Sequence, residues 1–243
     1  MAYASTLRNA VLLMSHFFNE TIEKKYNRLV KELDSNRYEV FLILNVNDKA
    51  SVQNISTDTR LCIYDADDLN KLGYTPIYEK LLPGSCHFPV LKFYLEHPTY
   101  AFYWFIEYDV EFTAPWNVLM SAYNQDNTDF IAPFIAKYNE IQARKWNWWK
   151  LRNNSGFPLK NSYRAFHPIC RYSSAALKNI DKFQKTGVSA HSELLIPTIL
   201  FQTGLTLSEM KIWGNNVRYR PLYTVEEYKQ KRAYGELFHP IKF

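Results

Sequence analysis

Three carboxylates stand at every second position in Ile106-Glu-Tyr-Asp-Val-Glu-Phe112: Glu107, Asp109 and Glu111. Residues two apart in an extended chain point the same way, so the three could converge on one point. The run before them, Tyr100-Ala-Phe-Tyr-Trp-Phe-Ile106, is almost wholly aromatic and β-branched, and it does not alternate with polar residues. Such a run reads as a strand buried on both faces. Charges delivered at the edge of a core are costly unless a partner neutralises them. A divalent cation is one such partner, and hard oxygen ligands suit Mg or Mn. The plainer alternative is a solvated strand end facing lysines.

Other groups compete for attention. Asp65-Ala-Asp67-Asp68 is a second acidic cluster, but its strand is shorter and Asp67-Asp68-Leu69 also reads as a helix cap, so it ranks second for metal binding. Asp65 keeps a ligand-facing role. His191-Ser-Glu193 opens a helical stretch to Gln202, with Ser192 as the expected N-cap. A carboxylate in a first helical turn has an ordinary electrostatic explanation, and Glu193 could equally be a catalytic carboxylate. Lys145-Trp-Asn-Trp-Trp-Lys-Leu-Arg152 reads either as an acceptor-binding or membrane-surface loop, or as a tryptophan layer closing the core. Phe238-His-Pro-Ile-Lys-Phe243 reads as a frayed terminus.

Strands and helices in alternation must position these groups. Ala10–Met14 is a short buried strand. The stripe Ile22, Tyr26, Leu29, Val30, Leu33 predicts a helix begun by Asn19 or Glu20 and stopped by Ser35-Asn36. Tyr38–Asn45 is the next strand, completing a βαβ unit, and Arg60–Tyr64 is a third. Ligands gather beyond the carboxyl ends of strands in such sheets, where His16, Asn19, Asn45 and Asn47 stand. Leu82–Ser85 is a loop. A helix follows over Cys86–His97, with Val90, Leu91, Tyr94 and Leu95 inward and His87 elsewhere. Helices over Trp116–Tyr123 and Ser173–Gln184 and strands over Asp129–Ile135 and Arg164–Tyr172, the last carrying His167, complete the pattern.

The 243 residues carry no obvious linker, which favours one domain. The +5 net charge comes from interspersed residues with no basic block, so nucleic acid is not an expected partner, while an anionic ligand or membrane surface is. Three cysteines without metal-ligand spacing suggest buried thiols in a reducing compartment. No membrane span or secretion signal is evident, so the expected location is the cytoplasm, with contact at the inner face of the membrane as a further expectation. The chain has no P-loop, Gly-x-Gly-x-x-Gly or Gly-x-Ser-x-Gly, which counts against kinase, dinucleotide and α/β-hydrolase chemistry.

Several blocks, in order, resemble a family of bacterial glycosyltransferases of unassigned donor and the GT-A fold more broadly. They are His16-Phe-Phe-Asn19, Leu82-Pro-Gly84 with His87-Phe-Pro89, Tyr103-Trp-Phe-Ile-Glu-Tyr-Asp-Val-Glu-Phe112, His191-Ser-Glu193 with Pro197-Thr198, and His239-Pro-Ile-Lys242. The resemblance spans most of the chain and implies a single α/β GT-A domain with a mixed, mostly parallel sheet. Residues 1–112 would form the nucleotide-binding half and 113–243 the acceptor-binding half. It implies transfer of a sugar, with inversion, from a nucleotide-sugar donor (a UDP-sugar as first choice) to a glycan or lipid-linked acceptor in cell-surface polysaccharide biosynthesis. Asp109 would coordinate a divalent metal, Mn or Mg, with His239 completing the shell. Glu107 would bind the metal shell or the ribose, and Lys242 would lie near the phosphates. Glu193 would be the base, and His16, Asn19 and Asp65 would border the nucleotide. Tyr108 stands where many such enzymes carry a second Asp, leaving open whether Glu107 or Glu111 partners Asp109. A non-catalytic nucleotide-sugar or carbohydrate-binding protein and a metal-dependent phosphohydrolase are the rival readings.

Overall fold

The structure, a computed structural model, describes residues 8–53, 55–78, 84–140, 147–150, 154–210, 217–231 and 233–242. In chain order the elements are β1 (Asn9–Ser15), α1 (Glu20–Glu32), β2 (Tyr38–Asn45), β3 (Leu61–Tyr64), α2 (Ala66–Asn70), α3 (His87–Glu96), β4 (Phe102–Glu107) and β5 (Glu111–Phe112). There follow α4 (Trp116–Ser121), β6 (Phe130–Ala132), β7 (Ala136–Lys137), β8 (Tyr163–Arg164), β9 (Ile169–Ser173), α5 (Ser174–Gln184) and α6 (Ser192–Gln202). The last elements are β10 (Leu207–Glu209), β11 (Val217–Thr224), α7 (Val225–Lys231) and β12 (Leu237–Lys242).

Seven strands form one sheet in the order β10-β6-β9-β4-β1-β2-β3. The neighbours β4, β1, β2 and β3 run parallel, and β9 runs antiparallel to both β4 and β6. The period-2 alternation of the central strands sorts their side chains between two cores. Leu12, Tyr103 and Phe105 join α3, α5 and α6 on one face, while Leu13, Trp104 and Ile106 join α1 and α4 on the other. With both faces covered, β1 and β4 can be hydrophobic at nearly every position. The result is a three-layer α/β fold of Rossmann-like character. A three-stranded sheet, β11-β12-β5, stands beside it.

Several expectations change. The strand expected over Arg164–Tyr172 is two strands, β8 and β9, with His167 between them and paired into neither. His87 faces inward, only 3% exposed, and its Nε2 accepts from the Gln184 amide at 2.7 Å; burial pushes its pKa down to about 3. Leu95 and Val30, expected inside, are exposed because their helices turn those positions outward. The C-terminal tail is no frayed end: β12 pairs antiparallel with β5 and parallel with β11. Of the tryptophan-rich stretch, Trp149 is buried against α6, as a core layer requires, while Trp146 lies outside the described residues. The predicted loop over Leu82–Ser85 is described only at Gly84 and Ser85.

Candidate functional site

The acidic strand stops earlier than the alternation implies. β4 ends at Glu107, and a turn over Tyr108 and Asp109 is closed by Val110 N–H donating to Glu107 O at 3.1 Å. Glu111 resumes extended structure in β5, and the turn has re-aimed it. Its carboxylate meets Lys25 Nζ at 2.9 Å and Arg28 at 3.2 Å, both on α1. Glu111 therefore does not converge with the other two acids. The pair that does is Glu107 and Asp109.

Pairing with β5 brings β12 alongside that turn. His239 Nε2 lies 3.3 Å from Glu107 Oε2 and 3.3 Å from Asp109 Oδ1. Lys242 Nζ donates to Asp109 Oδ2 at 2.7 Å and to the Tyr108 hydroxyl at 2.9 Å, and Ile241 N–H donates to Asp109 O at 2.9 Å. Burial works against ionising Asp109, but hydrogen bonds from His239 and Lys242 hold its pKa below the ordinary value. Burial likewise opposes a charge on His239, and hydrogen bonds to Asp109 and Glu107 overcome it, raising its pKa to about 9. Ligand-capable atoms of Glu107, Asp109 and His239 all fall within 4.8 Å of one another.

The turn is held from behind by a buried cation. Lys25, 5% exposed, donates to Tyr108 O at 2.6 Å and to Val110 O, the carbonyls on either side of Asp109. Tyr108 N–H donates to Met14 O at the end of β1. Asp109 thus hangs from a backbone fixed by α1, β1 and β12.

Glu193 arrives from the other side, on the first turn of α6. The cap is His191 rather than Ser192: its Nδ1 accepts from Glu193 N–H at 3.3 Å. Pro197 has no N–H to return to the carbonyl four residues earlier, which frees Glu193 O. Ala165 N–H donates to that oxygen at 2.9 Å, and His167 N–H donates to Glu193 Oε1 at 3.3 Å. One residue farther on, Thr198 Oγ1 accepts from Tyr163 N–H at 2.9 Å and donates to Leu194 O at 2.6 Å. Helix α6 is in this way laced to the segment 163–167. Burial raises the Glu193 carboxyl to a pKa of about 7, only partly offset by the His167 N–H.

Glu107, Asp109, Glu193, His239 and Lys242 line one cleft of about 1150 Å³ at the carboxyl ends of β1, β2 and β4. His16, Asn45, Asn47 and Asn70 line it on the side of β1 to β3. Phe134, Arg164, Phe166 and Tyr219 line it from the later part of the chain. The acidic turn adjoins both, since the His16 ring is 5.1 Å from Tyr108 and the Phe166 ring is 5.3 Å from His239.

Two expected nucleotide contacts fall elsewhere. Asn19 is the N-cap of α1, its side chain accepting from Ile22 N–H at 3.1 Å. Asp65 caps α2 in a capping box with Asp68 and pairs with Lys49. Short polar side chains at helix starts satisfy orphan N–H groups, and here that use prevails. His16, Glu107, Asp109, Glu193, His239 and Lys242 do share the cleft. Lys25, Phe134, Phe166 and Tyr219 were missed. Lys25 interrupts the apolar stripe of α1 beside Ile22, Tyr26 and Leu29, a signal that was present; the three aromatics meet only through tertiary contacts.

No protein-family model matches the chain, and no curated protein matches it. Among the described residues no helix is long and apolar enough to cross a membrane.

Proposed function

We propose that the protein is a metal-dependent glycosyltransferase of the GT-A type, moving a sugar from a nucleotide-sugar to a glycan or lipid-linked acceptor hydroxyl. The carrying observation is the meeting, in one cleft beyond parallel strand ends, of an acid–acid–imidazole cluster and a separate carboxyl of raised pKa. The two carboxylates suit Mn or Mg, and buried Asp109 Oδ1 and His239 Nε2, 3.3 Å apart, could share such an ion. Glu107, Asp109 and His239 would hold the ion. When bound, such an ion stabilises negative charge developing on a diphosphate leaving group.

Lys242 adds a cation beside the same turn, suited to phosphate oxygens. Asn45, Asn47 and His16 offer neutral polar groups for a nucleoside. Glu193 has Oε1 engaged by His167, leaving Oε2 to take a proton from an acceptor hydroxyl. Its pKa near neutrality suits a general base. A base on the acceptor side favours inversion. The resemblance supports a role in cell-surface polysaccharide biosynthesis and a UDP-sugar as the donor to test first.

One observation favours a second reading. Lys242 and a protonated His239 balance Glu107 and Asp109 without any metal, as a metal-independent nucleotide-sugar-binding protein would require. Thermal-shift screening of UDP-, GDP-, CMP- and dTDP-sugars, with and without Mn, separates the two, because a ligand of the native state raises the melting temperature by mass action. The expected result is a Mn-dependent shift for one donor class that Asp109→Ala abolishes. A shift of equal size without Mn supports the binding protein, and no shift with any donor refutes both.

A further inference from the structure

We propose that Phe134, Phe166 and Tyr219 form a stacking subsite for a pyranose ring, beside Glu193 and the acidic turn. The subsite rests on the sugar-handling function proposed above and assigns it particular residues. Phe166 is the hub: its ring centroid lies 5.8 Å from Phe134, 4.9 Å from Tyr219 and 5.3 Å from His239. Tyr219 and His239 are nearly parallel, 6.2 Å apart at 14°. The rings are contiguous, Phe166 packing edge-on against Tyr219 at 66° and against His239 at 80°, and this aromatic wall reaches the imidazole of the acidic cluster. Phe166 also sits between Ala165 and His167, the two residues whose N–H groups grip Glu193. A ring resting on this wall would lie next to the carboxylate oxygen still available for a proton.

Two further features point to a ligand. Tyr219 is 58% exposed and lines the cleft, so this wall presents an aromatic surface to it. Phe134 has φ +56°, in the left-handed region that bulky residues rarely adopt. Phe166 N–H donates to Pro133 O at 2.8 Å, so the surrounding chain holds Phe134 there. Backbone held in this way clusters at ligand clamps. A pyranose fits because its axial C–H face is apolar while its rim of hydroxyls needs polar neighbours, and Arg164 and Glu193 line the same part of the cleft.

The ring could be the acceptor's or the donor's, and the test separates them. Saturation-transfer NMR would be run with methyl glucoside, galactoside, mannoside and N-acetylglucosaminide, and titrations with UDP and UDP-glucose in Mn, on wild type, Tyr219→Ala and Phe166→Leu. For an acceptor ring, at least one glycoside shows transfer in the wild type and binds on the order of 3- to 10-fold more weakly in both variants. For a donor ring, UDP-glucose weakens by that factor while UDP does not. If UDP weakens equally, the wall stacks a nucleobase and the proposal is wrong. If neither glycoside nor UDP-glucose binding changes, it is wrong as well. Wild type that binds glycoside but no nucleotide would refute the donor assignment and leave the subsite standing. Circular dichroism confirms that each variant is folded, and Tyr219→Phe, which keeps the ring, is expected to bind like the wild type.

Discussion

Glu193 holds its proton to a pH of about 7, against an ordinary 4.5. Between those values the folded chain binds more protons at this site than the unfolded chain, so stability falls as pH rises through the window and levels off above it. Glu193→Gln removes that dependence. The variant should gain up to about 3 kcal/mol over wild type above pH 7 and nothing below pH 4.5, read by urea denaturation across pH. The proposed transfer activity should move the other way, because a general base must be ionised. Wild-type turnover should climb with pH through about 7, and the variant should lose ~10²–10⁴-fold with no such limb. A variant of undiminished activity would remove Glu193 from the mechanism. At Lys25 the question is whether the clamp positions Asp109 or only balances Glu111. Lys25→Met should destabilise the fold by on the order of 2 kcal/mol, since it leaves the half-buried Glu111 carboxylate with Arg28, and the carbonyls of Tyr108 and Val110 without their donor. Lys25→Met/Glu111→Gln should recover much of that stability, yet bind Mn about 10–100-fold more weakly than wild type in calorimetric titration. Full recovery of Mn affinity would reduce Lys25 to charge balance.

Elements whose hydrophobic pattern is local were legible before any coordinates. β1, α1, β2, β3, β4, α5 and α6 lie close to their expected bounds because buried runs and amphipathic stripes specify them one at a time. The two-residue strands β5, β7 and β8 were not legible, and neither was β12, because only their pairing partners make them strands. The site followed the same division. Glu107 and Asp109 could be found from spacing alone, but the turn that ejects Glu111 could not. Asn19 and Asp65 misled because a helix start and a polar ligand ask for the same side chains. His239 and Lys242 came from the family resemblance, and β12 pairing brings them to the acidic turn. The junction of α6 with β8 also has a testable core. Thr198→Val keeps the shape of a fully buried side chain but leaves Tyr163 N–H without its acceptor. A loss of about 1–3 kcal/mol in unfolding free energy is expected. A loss below the error of the measurement would mean that the segment 163–167 is held by its apolar contacts instead.

Across the whole molecule, the cleft joins parts of the chain that share no local structure. Glu107 and His239 are 132 residues apart in sequence, and Asp109 and Lys242 are 133 apart. Closing loops of such length costs more entropy than the pairings within β1 to β4, so these contacts are expected late in folding. A partly folded molecule with β1 to β4 assembled would present the two acids with neither the imidazole nor the lysine. If the proposed Mn site is right, uptake of Mn should therefore report completion of the fold rather than its onset. In a refolding experiment it should lag behind the recovery of secondary structure, so that the proposed site is complete only once β12 has docked.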